Sequence, residues 1–140
     1  MTLVITDLER QWIPFDGEIE VIGSDSSIFP CIGCFGCWTK TPGKCVLKDA
    51  FCETGQKIGR CDRLAIVSEC VYGGYSPFVK NVLDRAISYI YPYFCIRRGQ
   101  MHHRPRYANA MNFQVYFYGG YHAAGAGNGP EAGGGQRPQL

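Results

Sequence analysis

Four cysteines fall within fifteen residues, Cys31-Ile-Gly-Cys34-Phe-Gly-Cys37-Trp-Thr-Lys-Thr-Pro-Gly-Lys-Cys45, at the spacing C-x2-C-x2-C-x7-C. Gaps of two residues let successive thiolates turn toward one centre, because a short glycine-containing loop can coil around an ion or a cluster. Gly33 and Gly36 supply the permissive backbone, and Pro42-Gly43 turns the chain so that Cys45 returns. Three close cysteines and a more distant fourth match the ligand count of an iron–sulfur cluster or of a tetrahedral zinc site. The last gap is longer than in the compact C-x2-C-x2-C-x3-C-P cluster run, and Val46 stands where that run has proline. Zinc held by two C-x2-C knuckles fits less well, since Cys45 stands alone on the distal side. The third reading is a loop of free thiols that holds no metal.

A second stretch able to meet a ligand is Tyr72-Gly73-Gly74-Tyr75-Ser76. Backbone N–H groups of a Gly-Gly turn can approach a planar ring closely, and either tyrosine could stack on it; the plainer reading is a tight strand-to-helix turn. Cys70, just before it, is the candidate for an additional redox thiol, the alternative being a buried structural cysteine; Cys52 and Cys61 flank a helix and Cys95 sits in the loop. The adjacent pair His102-His103 reads as loop surface. No Ser/His/Asp or paired-carboxylate constellation stands out, so hydrolysis is not a contender.

These residues need elements to position them. Thr2 to Thr6 is a β-branched run that reads as a buried strand, and Glu18 to Gly23 alternates like a strand near a sheet edge. Asp49 to Gly59 reads as a helix with Asp49 as N-cap, although Gly55 weakens it. Asp62 to Val71 reads as a central strand around the apolar run Leu64 to Val67. Ser76-Pro77 then announces a helix as N-cap and first-turn proline. Its apolar stripe is Phe78, Val79, Val82, Leu83, Ala86, Ile87 and Ile90, with Arg85 and Ser88 on the polar face and Pro92 as the stop. Tyr93 to Asn112 reads as a long loop, and Phe113 to Tyr118 as a further strand. Strands alternating with helices imply a single-domain α/β fold with an open parallel sheet of about four strands, order 2-1-3-4. In such a sheet the cysteine loop and the Tyr72–Ser76 turn emerge on one rim, where they could face a shared site.

Composition bounds the partners. At 140 residues, 46% apolar and 19% charged, the chain is an ordinary globular one, and its net charge of +2 does not point to nucleic acid or a membrane surface. An N-terminus with acids and no basic segment, together with eight cysteines, fits a reducing, cytoplasmic setting. Eleven of the twelve acids lie at or before Asp84, whereas Arg85, Arg97, Arg98, Arg104 and Arg106 follow. That basic run either meets a phosphate-bearing or acidic partner, or pairs with the acids of the N-terminal half. Residues 119–140 hold eight glycines among 22 residues and read as a disordered tail after a domain spanning 1–118.

The cysteine loop, followed by Val71-Tyr-Gly-Gly-Tyr-Ser-Pro-Phe-Val-Lys-Asn-Val-Leu-Asp-Arg85, resembles the flavodoxin-like family of NADPH-dependent FMN reductases and iron–sulfur flavoproteins. The resemblance implies a flavodoxin-like fold, FMN at the strand rim, NAD(P)H as electron donor, and a redox partner or small-molecule acceptor. It implies that Tyr72, Gly73, Gly74, Tyr75 and Ser76 contact the flavin and that Cys31, Cys34, Cys37 and Cys45 hold a [4Fe-4S] cluster. Two departures stand out. The family's Ser/Thr-rich phosphate loop is replaced by Asp7-Leu8-Glu9-Arg10, which puts carboxylates where a phosphate should sit. The family's last strand and helix have no counterpart after Tyr118, which leaves an edge that a homo-oligomer would cover. The expected activity is that of an FMN-dependent oxidoreductase or electron-transfer protein. The alternative is a non-catalytic domain of the same fold without FMN, its cysteine loop serving metal binding or partner docking.

Overall fold

A computed structural model describes residues 1–120. The chain runs through β1 (Thr2–Thr6), β2 (Ile19–Ile22), α1 (Gly36–Thr39), α2 (Thr54–Ile58), β3 (Arg63–Glu69), α3 (Pro77–Arg85), β4 (Ile90–Arg97), β5 (Gln100–Pro105) and β6 (Asn112–Tyr118). Short 3-10 segments occur at Arg10–Trp12 and Ile87–Tyr89. Four strands form one parallel sheet in the order β2-β1-β3-β6. With β6 as its fourth strand, this is the open sheet and the 2-1-3-4 order expected of a flavodoxin-like α/β fold, flanked by few and short helices. The proposed tail lies outside the described residues, apart from Gly119 and Gly120.

The two central strands are apolar because both of their faces are covered. Leu3, Ile5, Leu64 and Ile66 point toward α3, where Val79, Val82 and Ala86 close the core together with Phe51 and Ile58. Val4, Ala65 and Val67 face the other side and pack under Leu8, Ile13 and Phe15. Complete burial of such side chains contributes about 1.5–3 kcal/mol each relative to exposure.

Ser76 and Pro77 begin α3 as expected: the Ser76 hydroxyl accepts the Val79 N–H at 3.4 Å, and Pro77 occupies the first turn. The helix ends at Arg85, seven residues before Pro92, because the chain tightens into a 3-10 turn and enters β4. Arg85 and Ser88 are both buried, so their place on a polar face is corrected. Arg85 follows Phe78 and Val82 at helical spacing and lies on the inward stripe.

Two further expectations change. The helix expected from Asp49 begins only at Thr54, and Asp49 caps no helix: its carboxylate accepts the N–H groups of Phe29 and Phe51 and pairs with Arg85. The long loop expected at 93–112 contains an antiparallel hairpin of β4 and β5. Its turn, Arg98-Gly99, has positive φ at both residues (49° and 78°), the geometry of a two-residue hairpin turn; Arg at the first position hid it from a reading tuned to Asn-Gly.

Gly55 is required by packing. A Cβ there would lie 2.2 Å from the Ser88 Oγ and 3.0 Å from the backbone nitrogen of Tyr89. Gly55→Ala is expected to lower stability by about 1–3 kcal/mol through overpacking, even though alanine is the better helix former. Urea denaturation followed by circular dichroism checks this, and a variant as stable as wild type would contradict it.

Candidate functional site

The cysteine loop is shaped by close packing and then tied to α3. Phe35 adopts a left-handed conformation to start α1, and Gly36 leaves no room for a side chain: a Cβ would meet Val46 Cγ1 at 2.5 Å. The Gly43 N–H donates to the Cys37 carbonyl at 3.0 Å and the Cys45 N–H to the Cys52 carbonyl at 2.8 Å, which brings Cys45 back toward the other three. Trp38 Nε1 donates to the Ile90 carbonyl at 3.0 Å and attaches the loop to the start of the hairpin.

The strongest tie is Arg85. Its side chain is fully buried and forks onto Asp49, Nη1 to Oδ2 and Nη2 to Oδ1, each at 2.7 Å. Nη1 also donates to the Phe29 carbonyl at 2.7 Å, Nη2 to the Leu47 carbonyl at 3.4 Å, and Nε to Cys45 Sγ at 3.1 Å. Burial works against the charge on Arg85, but hydrogen bonds to Asp49 and Cys45 outweigh it and hold its pKa above the ordinary value. The Arg85 hydrogen bonds in turn hold the Asp49 carboxyl below the usual range despite its burial, helped by the Phe29 and Phe51 N–H groups.

Cys31, Cys34, Cys37 and Cys45 all line one cavity of about 340 Å³, walled by Ile32, Phe35, Leu47, Leu83 and Ile87, with Arg85 at its margin. Burial pushes the Cys37 thiol up, and the nearby Cys45, Cys31 and Cys34 push it further. A bound cation acts the other way, since a coordinated thiol loses its proton. Among the described residues no three His, Cys, Asp or Glu groups stand close enough to hold a metal ion as they are. Four cysteine thiols on one cavity are a donor set that fits either an iron–sulfur group or tetrahedral zinc. The Gly36 N–H already points at Cys34 Sγ, at 3.4 Å.

The rim turn lies elsewhere. Val71 and Gly74 exchange two backbone hydrogen bonds of 3.0 Å, closing a tight turn over Tyr72 and Gly73 with positive φ at both (51° and 79°). Tyr72 projects into solvent, Tyr75 stacks on Phe117 at 5.5 Å, and the Ser76 N–H donates to the buried Ser68 Oγ at 2.9 Å. A cavity of about 580 Å³ is lined by Glu69, Cys70, Val71, Tyr72, Gly73 and Gly120. No residue lines both cavities. The cysteine cavity meets the C-terminal end of α3, while the rim turn precedes its N-terminus.

Asp7 explains the missing phosphate loop. Its carboxylate accepts the Glu69 N–H at 3.2 Å and the Tyr118 hydroxyl at 3.0 Å, joining the ends of β1, β3 and β6. Burial and the bond to Asp7 push the Tyr118 phenol up to about 12. The end of β1 thus presents a carboxylate that already holds its donors, where a flavin phosphate would meet like charge.

Sequence reasoning missed Arg85 and Asp49 as partners of the cysteine loop. The available signal was the i, i+4, i+7 spacing of Phe78, Val82 and Arg85. Among the other basic residues, Arg106 donates to the Ser88 carbonyl at 2.8 Å and lies over the Tyr91 ring at 4.2 Å. No described carboxylate pairs with Arg97, Arg98, Arg104 or Arg106, so the expected pairing with N-terminal acids holds for Arg85 alone in this run.

No protein-family model matches the chain, and no solved structure matches it. An iron-sulfur flavoprotein of Methanocaldococcus jannaschii is 36% identical over 70 residues, which make up 49% of this chain and 35% of that protein. The chain thus matches about a third of that relative's length. No helix among the described residues is long and apolar enough to cross a membrane.

Asp49→Asn leaves the buried guanidinium without its counter-charge and is expected to destabilise the fold by about 3–5 kcal/mol near neutral pH. Because the native Asp49 pKa lies below its unfolded value, the pair contributes fully above the ordinary aspartate pKa of about 3.9, and the contribution is lost as pH falls toward the native value. The stability gap between wild type and variant should therefore narrow on going from about pH 7 to about pH 3. Denaturant titrations at both pH values check this; a gap that stays constant or widens in acid would contradict it.

Proposed function

We propose that the chain is an electron-transfer domain of the iron–sulfur flavoprotein kind, in which Cys31, Cys34, Cys37 and Cys45 hold a [4Fe-4S] cluster. The observation that carries this reading is that every cysteine of the spaced motif lines the same apolar-walled cavity. The name of the archaeal relative points to the same class. A bound cluster supplies one-electron exchange. The chain's own residues would bind it through four thiolates, set the apolar side chains of Ile32, Phe35, Leu47 and Leu83 around it, and direct the N–H groups of Gly36 and Arg85 at sulfur.

The flavin part of the proposal concerns the rim. There Tyr72, Gly73, Gly74, Tyr75 and Ser76 would flank a flavin ring with Cys70 beside it, and NAD(P)H or a carrier protein would exchange electrons with it. The rim cavity, which Cys70, Tyr72 and Gly73 line, is the supporting observation. Asp7 favours a second reading, a domain that keeps the fold without FMN and works through the cysteine centre alone.

An anaerobic absorption spectrum with iron and acid-labile sulfide assays tests the cluster. Wild type reconstituted with iron and sulfide should show a broad sulfur-to-iron shoulder with stoichiometric iron and sulfide, and Cys34→Ser and Cys37→Ser should lose both. A colourless, iron-free product would sink the reading. The flavin question turns on Asp7→Ser, which removes the carboxylate from the phosphate position. If the rim holds FMN, this variant should bind it at least about tenfold more tightly in a fluorescence-quenching titration. Absence of binding by both proteins would leave the flavin-free reading.

A further inference from the structure

Arg85 stands against the cysteine cavity without being one of its ligands. It is 2% exposed, the largest of the fully buried side chains. A guanidinium has five N–H donors in a fixed plane, and here five contacts are available to them: Asp49 Oδ1 and Oδ2, the carbonyls of Phe29 and Leu47, and Cys45 Sγ. The fork edge is taken up by Asp49, which compensates the charge, and Nε–H is the donor turned toward sulfur. Cys45 is also the ligand separated from its nearest partner by the longest gap, so it is the one whose return to the centre costs the most chain entropy.

Resting on the proposed cluster, we infer that Arg85 is a positioning and potential-setting residue of the cysteine centre. It fixes Cys45 Sγ on the cavity wall and holds a cationic N–H donor against that sulfur. Adding an electron makes the cluster and its thiolates more negative, and a donor aimed at sulfur stabilises this state more than the oxidised one, so Arg85 raises the midpoint potential. The pair with Asp49 keeps the guanidinium in one orientation. Lysine preserves the charge but has no planar fork to engage two carboxylate oxygens and a sulfur together.

The test uses full-length wild type, Arg85→Lys, and the double variant Arg85→Met/Asp49→Leu, which replaces the buried pair by apolar side chains and leaves no charge unpaired. Each is reconstituted anaerobically with iron and sulfide after near-ultraviolet circular dichroism has confirmed its fold. The readouts are the midpoint potential from a redox titration followed by electron paramagnetic resonance, and the rate of iron loss to a chelator. The double variant is expected to take up a cluster with a more negative potential and to lose iron to the chelator faster, by about 10-fold to 100-fold if the outer-shell cost in metal affinity falls on dissociation. Arg85→Lys should move both readouts the same way by less. If wild type takes up no iron and sulfide, the cluster reading itself fails. If wild type reconstitutes but the folded variants match it in potential and iron loss, the role of Arg85 is overturned while the cluster stands. Should the double variant not fold, an Arg85→Lys protein identical to wild type in both readouts overturns it alone.

Discussion

The fork of Arg85 on Asp49 is the contact on which the cysteine half of the molecule depends. The two residues are 36 positions apart, and between them they engage the backbone or side chains of residues 29, 45, 47 and 51. Removing two charges from water is expensive, and a buried ion pair is a poor source of net stability. What it supplies here is a single arrangement. A loop with little regular structure of its own, holding the short helix α1, is held against the end of α3 by donors and acceptors that have no equivalent alternative partners. Apolar packing alone would be less discriminating between neighbouring arrangements.

Helix α3 consequently serves two ends. At its N-terminus, Ser76 caps the first turn and its backbone N–H bonds to Ser68, fixing the helix to β3 next to the rim turn. At its C-terminus, Arg85 secures the cysteine loop. Nine helical residues span roughly 13 Å, which separates the rim cavity from the cysteine cavity along one rigid element. The parallel sheet beneath supports both ends, because β1 and β3 are paired in register and buried on both faces, each face packed against its own side-chain cluster.

The rim itself is built around negative charge. Asp7 accepts from β3 and β6 at the point where a phosphate-binding loop would present donors, and Tyr118 stays protonated beside it. The carboxylate closes the ends of three strands and consumes an N–H that an anion would otherwise use. The same backbone positions thus serve strand ends here and not a ligand.

Much of the fold was legible locally. The β-branched run of β1, the apolar centre of β3 and the Ser-Pro start of α3 each depend on interactions within a few residues, and period and capping chemistry are written directly in sequence. The C-x2-C-x2-C-x7-C spacing likewise named the four residues that line one cavity. The hairpin of β4 and β5 was hidden by an Arg-Gly turn, and Gly55 looked like a weak helix position until Ser88 was found against it. Asp49 read as a helix cap and Arg85 as a solvent-facing charge, because each is chemically suited to those places in isolation. By itself the sequence determined the four strands of the parallel sheet and the identity of the clustered thiols, since these follow from short-range periodicity and spacing. Only the tertiary structure decided that Arg85 turns inward to Asp49 and Cys45 and that the two cavities lie apart, because burial of a charge is tolerable only where a distant partner meets it.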